Sequence, residues 1–489
     1  MIDGKQFIIA EDSYYAENFA STKLSCGLIL SAHKDLEVYI DPTKRGILLG
    51  YAWQAVCDRS SPEESLETLL SHGSPTRQDI FEMEKTWCGR YVLIIDDVLY
   101  LDACGMLGVY YGKGCVSSSM HLLNEHLRLN ADPLVTWPYL NWLPAPLTHI
   151  KGIKRLLSSQ LLNILSLEIE PRQLVLAVGQ SNVSNEVKAQ EFIEIFSNSL
   201  KNLFDRFPKK DFCLAVTGGY DSRTILAVMQ GSNTPFRCYT IEHEYMNEGD
   251  FYTPVELCKA LGVEHTYVPI SQNSYSKKTD SEYITHTFGY SNDKDRAFIA
   301  RGQYDELVRG RDVVCIRGSI WECVIDYYNR YTSSGLFNRK ATLDELFATK
   351  NKLVCDSIAE YDKWTSQNKQ NFVSDSDRFL WEQREGCWLS GIEQGFDYCE
   401  HIISVQPMNC RYLLALLYRF DADMRKSKSH QELIVNIAAP ALSSISYGGE
   451  KLVKGSLKNF KFKKFLDRLR LIGLTGTFGI YWRMLKRQK

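Results

Sequence analysis

The sequence predicts an α/β protein with two successive domains, a strand-rich first domain and a doubly wound parallel sheet in the second. Up to about residue 128, short apolar runs alternate with turn residues, and few long helices are expected before Gln78. From about residue 186, strand-like and helix-like segments alternate, which is the pattern of a parallel sheet covered by helices on both faces. Residues 213–229 combine an apolar run, two glycines and an amphipathic segment, and they carry the clearest functional signal in the chain.

Composition and charge fit an ordinary globular protein with no general affinity for nucleic acid. The 489 residues suffice for two large or three smaller domains. Hydrophobic residues make up 44% and charged residues 24%, and the net charge of −2 gives no overall attraction to phosphate backbones. Fourteen cysteines occur without a Cys-x-x-Cys pair, so buried free thiols are expected. With no signal peptide at the start and no apolar run of about 18 residues, a cytoplasmic location is expected.

Residues 213–216 form a short apolar run that predicts a strand buried on both faces. Thr217, Gly218 and Gly219 follow as a tight turn, and helical spacing begins at Asp221. Two glycines let the backbone approach a ligand closely, and the free N–H groups of a helix start attract anions. A carboxylate at Asp221 would repel a phosphate unless a Mg²⁺ ion bridged the two groups. The alternative is a βα turn whose glycines serve packing alone.

This stretch resembles the Ser-Gly-Gly-x-Asp-Ser loop of ATP pyrophosphatases, with Thr217 in place of the leading serine. Those enzymes split ATP between the α and β phosphates and transfer AMP. The resemblance implies ATP and Mg²⁺ as cofactors, with the metal held by Asp221. Ser222 would add a hydroxyl donor and Arg223 a positive charge beside the phosphates. The residues expected to bind the nucleotide are Val216, Thr217, Gly218, Gly219, Tyr220, Asp221, Ser222 and Arg223.

The first domain resembles the amidotransferase domain of asparagine synthetases. The similarity rests on the order of Gly89-Arg90, Asp96, Leu99-Tyr100, Asp102, Gly105 and Tyr110-Tyr111. It implies a class II glutamine amidotransferase fold over residues 1–170, an Ntn-hydrolase-like αββα sandwich; the alternative is an unrelated strand-rich module. Glutamine-hydrolysing members use a cysteine directly after the initiator methionine, whereas Ile2 stands here. Because an internal cysteine has no α-amine to act as its base, the domain is expected to lack glutaminase activity.

The second domain, residues 186–457, resembles the synthetase domain of the same family, which combines a parallel-sheet nucleotide domain of the PP-loop type with a helical C-terminal part. A strand over residues 236–242, a helix over residues 252–262 and a strand over residues 265–270 continue the alternation. In the family, the end of the second strand contacts adenine, and this contact would fall near residues 241–243, with Ile241 as the expected binding residue. The alternative is a solvated strand end without a ligand.

A further strand over residues 312–317 leads into a segment that resembles the family's Ser-Gly-Glu-Gly-Ser/Ala-Asp-Glu motif. Glu322 matches its final glutamate and is a candidate catalytic residue. Trp321 replaces the metal-binding aspartate before it, so one of two expected Mg²⁺ carboxylates is missing. Arg317 and Gly318 are expected at the nucleotide, where Arg317 would pair with phosphate in a bidentate manner. The alternative is loss of activity.

The C-terminal part supplies the remaining candidates. Arg384 and Arg411 are expected either to grip a substrate carboxylate or phosphate, or to lie on helix surfaces. The family's lysine that stabilises the transferring phosphate or the leaving pyrophosphate would fall at Lys451 or, as second choice, at Lys454, and both are candidate catalytic residues. Residues 458–489 form a basic tail with interleaved apolar residues, which suggests contact with an anionic membrane or a partner, or a solvated terminal helix.

The resemblance extends over residues 89–454 and implies an asparagine-synthetase-like amide ligase, with β-lactam synthetases and lasso peptide cyclases among the relatives. Such an enzyme adenylates a small-molecule, peptide or glycan carboxylate, releases pyrophosphate and lets ammonia or an amine displace AMP. Departures at Ile2, Trp321, Tyr220 and Arg223 favour specialised amidation or cyclisation over asparagine synthesis. Two alternatives remain: a catalytically inactive scaffold or regulatory homologue, and an adenylating tRNA-modifying enzyme whose basic tail grips RNA.

Overall fold

The computed structural model shows a two-domain chain in which a four-layer first domain packs on a parallel-sheet second domain. It describes residues 5–14, 16–57, 60–129, 142–175, 183–232, 234–242, 246, 248–269, 303–304, 307–330, 351–399 and 401–448. Over these ranges, no helix has both the length and the apolar composition needed to cross a membrane. Most of the fourteen cysteines are buried and all are free thiols, as the sequence predicts.

Two antiparallel sheets of six strands each form the centre of the first domain. The first sheet contains β1 (Phe7–Ala10), β2 (Phe19–Lys23), β3 (Ile29–His33), β8 (Tyr110–Gly112), β9 (Cys115–Ser117) and β10 (Lys154–Arg155), in the spatial order β10-β8-β9-β1-β3-β2. The second contains β4 (Val38–Ile40), β5 (Gly46–Gln54), β6 (Trp87–Ile95), β7 (Val98–Leu101), β11 (Gln160–Asn163) and β12 (Ile169–Pro171), in the order β12-β11-β7-β6-β5-β4. The predicted hairpin with an aspartate turn joins β6 to β7, where Asp96 and Asp97 both have positive φ, as a type I′ turn requires.

In the described part of the first domain, three helices cover the outer faces of these sheets: α1 (Pro62–Ser71), α2 (Arg77–Glu84) and α3 (Met120–Leu127). Leu66 of α1 and Met83 of α2 pack with Leu93 of β6 against the second sheet. Leu123 of α3 packs with Ile8 of β1 against the first sheet. A separate apolar core fills the space between the two sheets. The layers therefore run helix, sheet, sheet, helix, which confirms the predicted αββα sandwich.

The second domain is built on a sheet of five parallel strands. Its strands are β13 (Asp211–Ala215), β14 (Arg237–Ile241), β15 (His265–Val268), β16 (Val313–Ile316) and β17 (Ile402–Val405), in the order β15-β14-β13-β16-β17. The first strand in the sequence lies in the middle, so the chain direction across the sheet reverses between β13 and β16. In doubly wound folds, ligands bind at the carboxyl ends of the two strands beside such a switch point.

Helices lie on both faces of this sheet, as the sequence predicts. They are α4 (Asn185–Arg206), α5 (Asp221–Met229), α6 (Glu248–Leu261), α7 (Lys352–Gln367), α8 (Asp375–Phe379), α9 (Ser390–Gly395), α10 (Arg411–Tyr418), α11 (Ala422–Ser427) and α12 (Ser429–Ala438), with a π-helical segment (Leu380–Leu389) between α8 and α9. Phe196 of α4 and Leu226 of α5 pack on one face, whereas Tyr304 and Phe396 pack on the other. The helix α6 begins at Glu248, earlier than the sequence predicts.

The two domains share one continuous core and several buried polar contacts. Arg90 of β6 forms a bidentate ion pair with Asp397, with N–O distances of 2.7 and 2.6 Å. The amide nitrogen of Asn409 donates to the Asp102 carboxylate (2.9 Å) and to the Gly89 carbonyl (2.6 Å). Truncating one partner of a buried contact leaves the other unsatisfied, which costs about 1–3 kcal/mol or more. The first domain is therefore fixed rigidly against the second.

Arg411 belongs to this interface, which corrects the expectation of a substrate-gripping or helix-surface arginine. Its side chain is buried, and its Nη1 donates to the carbonyl of Leu174 (2.9 Å). Its Nε lies 3.6 Å from the Glu84 carboxylate of α2. Burial, followed by the charge of neighbouring Arg172, lowers the pKa of Arg411 to about 10. These contacts leave it no access to a substrate.

Candidate active site

The loop after β13 lies at the switch point and has the strand–turn–helix form that the sequence predicts. The strand ends at Ala215 and the helix α5 begins at Asp221. Val216 attaches the start of the loop to β14, because its N–H donates to the Tyr239 carbonyl (2.9 Å) and its carbonyl accepts from the Thr240 hydroxyl (2.8 Å). The loop is therefore held at the sheet edge where ligands of doubly wound folds bind.

Ser222 and neighbouring glycines determine the shape of this loop. The Ser222 hydroxyl accepts the Thr217 N–H at 3.0 Å, which closes the turn on itself. A Cβ atom on Gly218 would lie 2.8 Å from the carbonyl oxygen of Gly249. A Cβ atom on Gly318, after β16, would lie 3.0 Å from the backbone nitrogen of Ser222. Both positions require glycine because another stretch of backbone approaches too closely for any side chain.

The N–H groups of the two loop glycines already have oxygen acceptors. The Gly218 N–H donates to Asp250 Oδ1 at 3.2 Å, and the Gly219 N–H donates to the Thr217 hydroxyl at 3.3 Å. Asp250 comes from the first turn of α6 and was not singled out from the sequence. A carboxylate oxygen therefore already receives a hydrogen bond from the loop at this point, as a phosphate oxygen would. A bound phosphate would have to displace it.

Asp221, the predicted metal ligand, has two partners from the C-terminal part. Its Oδ1 accepts from the Gln431 side-chain amide (2.9 Å) and lies 3.5 Å from Lys428 Nζ. Among the described residues, no three His, Cys, Asp or Glu side chains form a group that could hold a metal ion. Mg²⁺ is commonly bound by one or two carboxylates together with substrate phosphates and water. A single carboxylate with solvent access therefore fits Mg²⁺ carried by a nucleotide.

Glu322 lies in a 3₁₀ turn (Trp321–Val324) directly after β16, with its carboxylate 3.6 Å from Arg384 Nε. The Arg384 guanidinium lies over the rings of Tyr327 (5.1 Å) and Trp388 (5.0 Å). Arg384 is partly buried against these rings, and the Glu322 carboxylate lies beside its Nε. The structure thus brings Glu322 and Arg384 together, which are 62 residues apart in the sequence and show no motif that links them.

Trp321, which the sequence resemblance matched to a metal-binding aspartate, points into the core. Its indole packs edge-on against Phe192 and Phe196 of α4, at centroid distances of 5.6 and 6.1 Å. The side chain is 1% exposed. No carboxylate could replace it there without being buried among aromatic rings.

A third carboxylate, Glu385, lies beside this pair and was missed in the sequence. It is buried in the π-helical segment, with its carboxylate 3.9 Å from Arg384 Nε. Burial raises the pKa of Glu385 to about 8; Arg384 opposes this, while the negative charges of Glu322 and Asp221 add to it. Glu322 and Glu385 therefore both lie beside Arg384, with carboxylate oxygens 3.6 and 3.9 Å from its Nε. Nothing in the sequence indicates a π-helix, and the residue would pass for a surface helix position.

The first domain holds the π-helical segment in place. Arg155 of β10 donates through Nη2 to the Gly386 carbonyl (2.6 Å) and to the Ser390 hydroxyl (2.8 Å). The Trp381 indole donates to the Ala103 carbonyl (2.7 Å). π-Helical turns are rare and occur often at functional sites, where they re-aim side chains. These contacts determine where Arg384 and Glu385 lie, although they come from the other domain.

Arg317 and Ile241 lie at the carboxyl ends of β16 and β14. Arg317 forms a close ion pair with Glu393 and lies over the Phe396 ring (4.9 Å). Glu393 also accepts from the Ser404 hydroxyl (2.6 Å). The Arg317 guanidinium, which was expected to bind phosphate, is thus paired with the Glu393 carboxylate in this structure. Ile241 is half-buried, and its backbone pairs with Val268.

Tyr220 and Arg223 contact the end of the described chain. Arg223 donates to the carbonyls of Ile445 (2.6 Å) and Ser446 (2.9 Å). The Tyr220 hydroxyl donates to Glu432 at 3.1 Å. The candidate lysines Lys451 and Lys454, and the basic tail of residues 458–489, lie outside the described residues.

The fold and site define an α/β protein with a loop at the switch point of a parallel sheet, and an N–H group of this loop donates to a carboxylate oxygen. No protein-family model matches the chain, and no curated protein matches its sequence. Among solved structures, it is similar to NMN synthetase from Francisella tularensis (16% identity, 42% of this chain and 95% of that chain, TM-score 0.24). It is also similar to the U34-tRNA thiolase NcsA from Methanococcus maripaludis (11%, 42% and 84%, TM-score 0.24) and to NH3-dependent NAD synthetase from Campylobacter jejuni (10%, 44% and 96%, TM-score 0.23). At TM-scores this low, the similarities say nothing about what this chain does.

Proposed function

We propose that the protein is an ATP-dependent carbon–nitrogen ligase of the asparagine-synthetase type. It would adenylate a substrate carboxylate, release pyrophosphate and let ammonia or a substrate amine displace AMP. The observation that supports this most is the arrangement at the switch point. The Gly218 N–H donates to a carboxylate oxygen, and a helix begins at Asp221. The segment after β16, which carries Glu322 and its partner Arg384, approaches that helix start through Gly318.

The loop would bind the phosphates. Its N–H groups and the Ser222 hydroxyl are donors that stabilise charge on transferring phosphoryl groups. Asp221 would hold Mg²⁺, which would neutralise part of the phosphate charge. The described chain ends at Gly448, whose N–H donates to the Gly218 carbonyl at 2.9 Å. Lys451, or as second choice Lys454, is proposed as the lysine that stabilises the transferring phosphate; both lie outside the described residues.

The chemistry would proceed in two displacements. An oxygen of the substrate carboxylate attacks the α-phosphorus, and the bond to the bridging oxygen of pyrophosphate breaks. The amine then attacks the acyl carbon, AMP leaves and the nitrogen loses a proton. Glu385 has a pKa of about 8, so a minor fraction of it is ionised at neutral pH, and that fraction would accept the proton. Glu322 would hold Arg384 beside it.

The nucleophile would be ammonia or an amine of the substrate, in keeping with the expectation that the first domain lacks glutaminase activity. The first domain would serve the reaction by holding the π-helical segment through Arg155. The carboxylate would come from a small molecule, a peptide or a glycan. A contact of the basic tail with a membrane surface or a protein stays a prediction, as does the cytoplasmic location.

The test is pyrophosphate release from Mg-ATP in the presence of ammonium and a panel of carboxylates. Release that depends on one carboxylate identifies the substrate class, and Asp221→Asn should reduce it at least 100-fold, about 2.7 kcal/mol of transition-state stabilisation. Asp211→Asn is the matched control, since Asp211 lies at the opposite end of β13 and pairs with Arg311 on the surface. Equal rates for the wild type and Asp221→Asn would refute the proposal.

A catalytically inactive scaffold is the second candidate. It is favoured by the internal partners of the site: Asp250 occupies the loop and Lys428 neutralises Asp221. A scaffold would not release pyrophosphate with any carboxylate, and its nucleotide affinity would not respond to Asp221→Asn. Binding of a nucleotide that depends on Asp221 would argue against it.

A further inference from the structure

Residues 445–448, here called the cover strip, lie directly on the nucleotide loop. Backbone meets backbone there, because Gly218, Gly249 and Gly448 come together without room for a side chain. A Cβ atom on Gly448 would lie 3.0 Å from the carbonyl carbon of Gly249 and 3.1 Å from the Cα of Gly218. The Gly448 N–H donates to the Gly218 carbonyl at 2.9 Å. The position of the strip and the position of the loop are therefore coupled.

Arg223 fastens the strip to the start of α5. Its two Nη atoms donate to the carbonyls of Ile445 (2.6 Å) and Ser446 (2.9 Å), and its side chain is fully buried. Its guanidinium lies 3.8 Å from the centroid of the Tyr447 ring. A planar cation with two parallel donors and an aromatic ring against it forms a well-oriented contact.

Tyr220 completes the arrangement from the other side. Its ring stacks on that of Tyr447, with centroids 3.9 Å apart and an interplanar angle of 10°. Tyr220 and Arg223 stand three residues apart at the start of α5, so they project from the same face of the helix. Tyr447 is thus held between an aromatic ring and a guanidinium.

We propose that Arg223 and Tyr447 are positioning residues: they hold the cover strip against the nucleotide loop and so maintain the loop conformation that receives a polyphosphate. This inference rests on the proposed function. The Arg223 donors Nη1 and Nη2 face carbonyl oxygens of the strip, so Arg223 would act on the nucleotide through the strip and the loop. Tyr447 is half-buried and therefore open to substitution.

The experiment measures binding of α,β-methylene ATP with Mg²⁺, together with KM for ATP and kcat for pyrophosphate release. Tyr447→Leu and Arg223→Lys remove the stacking and the bidentate contact. Each should raise the Kd of the analogue and the KM for ATP about tenfold, as expected for loss of a stacked cation contact. Their kcat at saturating ATP should stay within about threefold of the wild type, because the reacting groups are unchanged. Tyr447→Phe keeps the stack and should bind within about twofold of the wild type.

Arg237→Lys is the matched control. Arg237 lies on the neighbouring strand and also donates to a backbone carbonyl, that of Leu307 (3.2 Å), without touching the loop. If the strip had a purely structural role, Tyr447→Leu and Arg223→Lys would lower the fraction of folded protein. The apparent kcat would then fall, while the Kd of the analogue would stay unchanged. That result, or unchanged binding in Tyr447→Leu, overturns the inference but leaves the ligase proposal standing. Failure of the wild type to bind the analogue overturns both.

Discussion

Arg155 donates a 2.6 Å hydrogen bond to the carbonyl oxygen of Gly386, and this contact links the first domain to the candidate active site. Gly386 lies in the π-helical segment, one residue after Glu385. A Cβ atom on Gly386 would lie 3.0 Å from the Cys104 carbonyl oxygen, so the segment fits tightly against the first domain. A domain expected to lack glutaminase chemistry thus contributes to the geometry of the other domain's site.

Arg155→Met should weaken both stability and activity. It removes the donors to Gly386 and Ser390 and leaves a buried carbonyl unsatisfied, at a cost of about 1–3 kcal/mol. Urea unfolding measures this loss, and pyrophosphate release measures the displacement of Glu385. Arg77→Met is the control, because the exposed pair of Arg77 with Glu170 contributes at most about 1 kcal/mol. Equal destabilisation by both variants would contradict the assigned role of Arg155.

Glu385 predicts a pH dependence of stability. Its pKa in the folded protein is raised by burial to about 8, far above that of an unfolded glutamate at about 4.3. Between these values the folded state keeps a proton that the unfolded state has lost, so stability falls as pH rises towards 8. Glu385→Gln removes this dependence. The urea midpoint of Glu385→Gln relative to that of the wild type should therefore be higher at pH 8.5 than at pH 5.5. A difference between the two midpoints that does not change with pH would contradict this prediction.

Replacing Asp250 should give a variant that binds nucleotide more tightly than the wild type. Its carboxylate accepts the Gly218 N–H and competes with a phosphate oxygen. Asp250→Asn removes the negative charge, which is worth roughly 1 kcal/mol against a nearby phosphate, so the Kd for Mg-ATP should fall about fivefold. Glu256→Gln, an exposed position on the same helix, is the control. Weaker binding by Asp250→Asn would show that Asp250 supports the loop and does not compete for it.

Adding a side chain at Gly318 should displace the nucleotide loop locally. Its added methyl group would lie 3.0 Å from the Ser222 nitrogen and 3.1 Å from the Ser222 Cα, so the start of α5 must shift. Gly318→Ala should cost about 1–3 kcal/mol and weaken nucleotide binding about tenfold. Gly231→Ala, at the other end of α5, meets only an ordinary contact of 3.6 Å and should be nearly neutral. Unchanged binding in Gly318→Ala would place the nucleotide away from this loop.

The sequence by itself determined the two-domain organisation, the strand–loop–helix at residues 213–229 and the parallel alternation around it. These features depend on local patterns: apolar runs of strand length, two glycines in a turn, and helical spacing after Asp221. The αββα layers followed from strand and turn order together with the family resemblance.

Only the tertiary structure decided which distant residues meet at the site. Glu385, Asp250 and Lys428 come from separate helices and turns, and none belongs to a recognisable motif. The π-helical register that presents Glu385 depends on Arg155, more than 200 residues earlier in the chain. The partners of Arg317 and Arg411 were equally hidden, because an arginine's role depends on which carboxylate or carbonyl packing brings beside it. Such contacts arise from long-range packing, which leaves no periodic signal in the sequence.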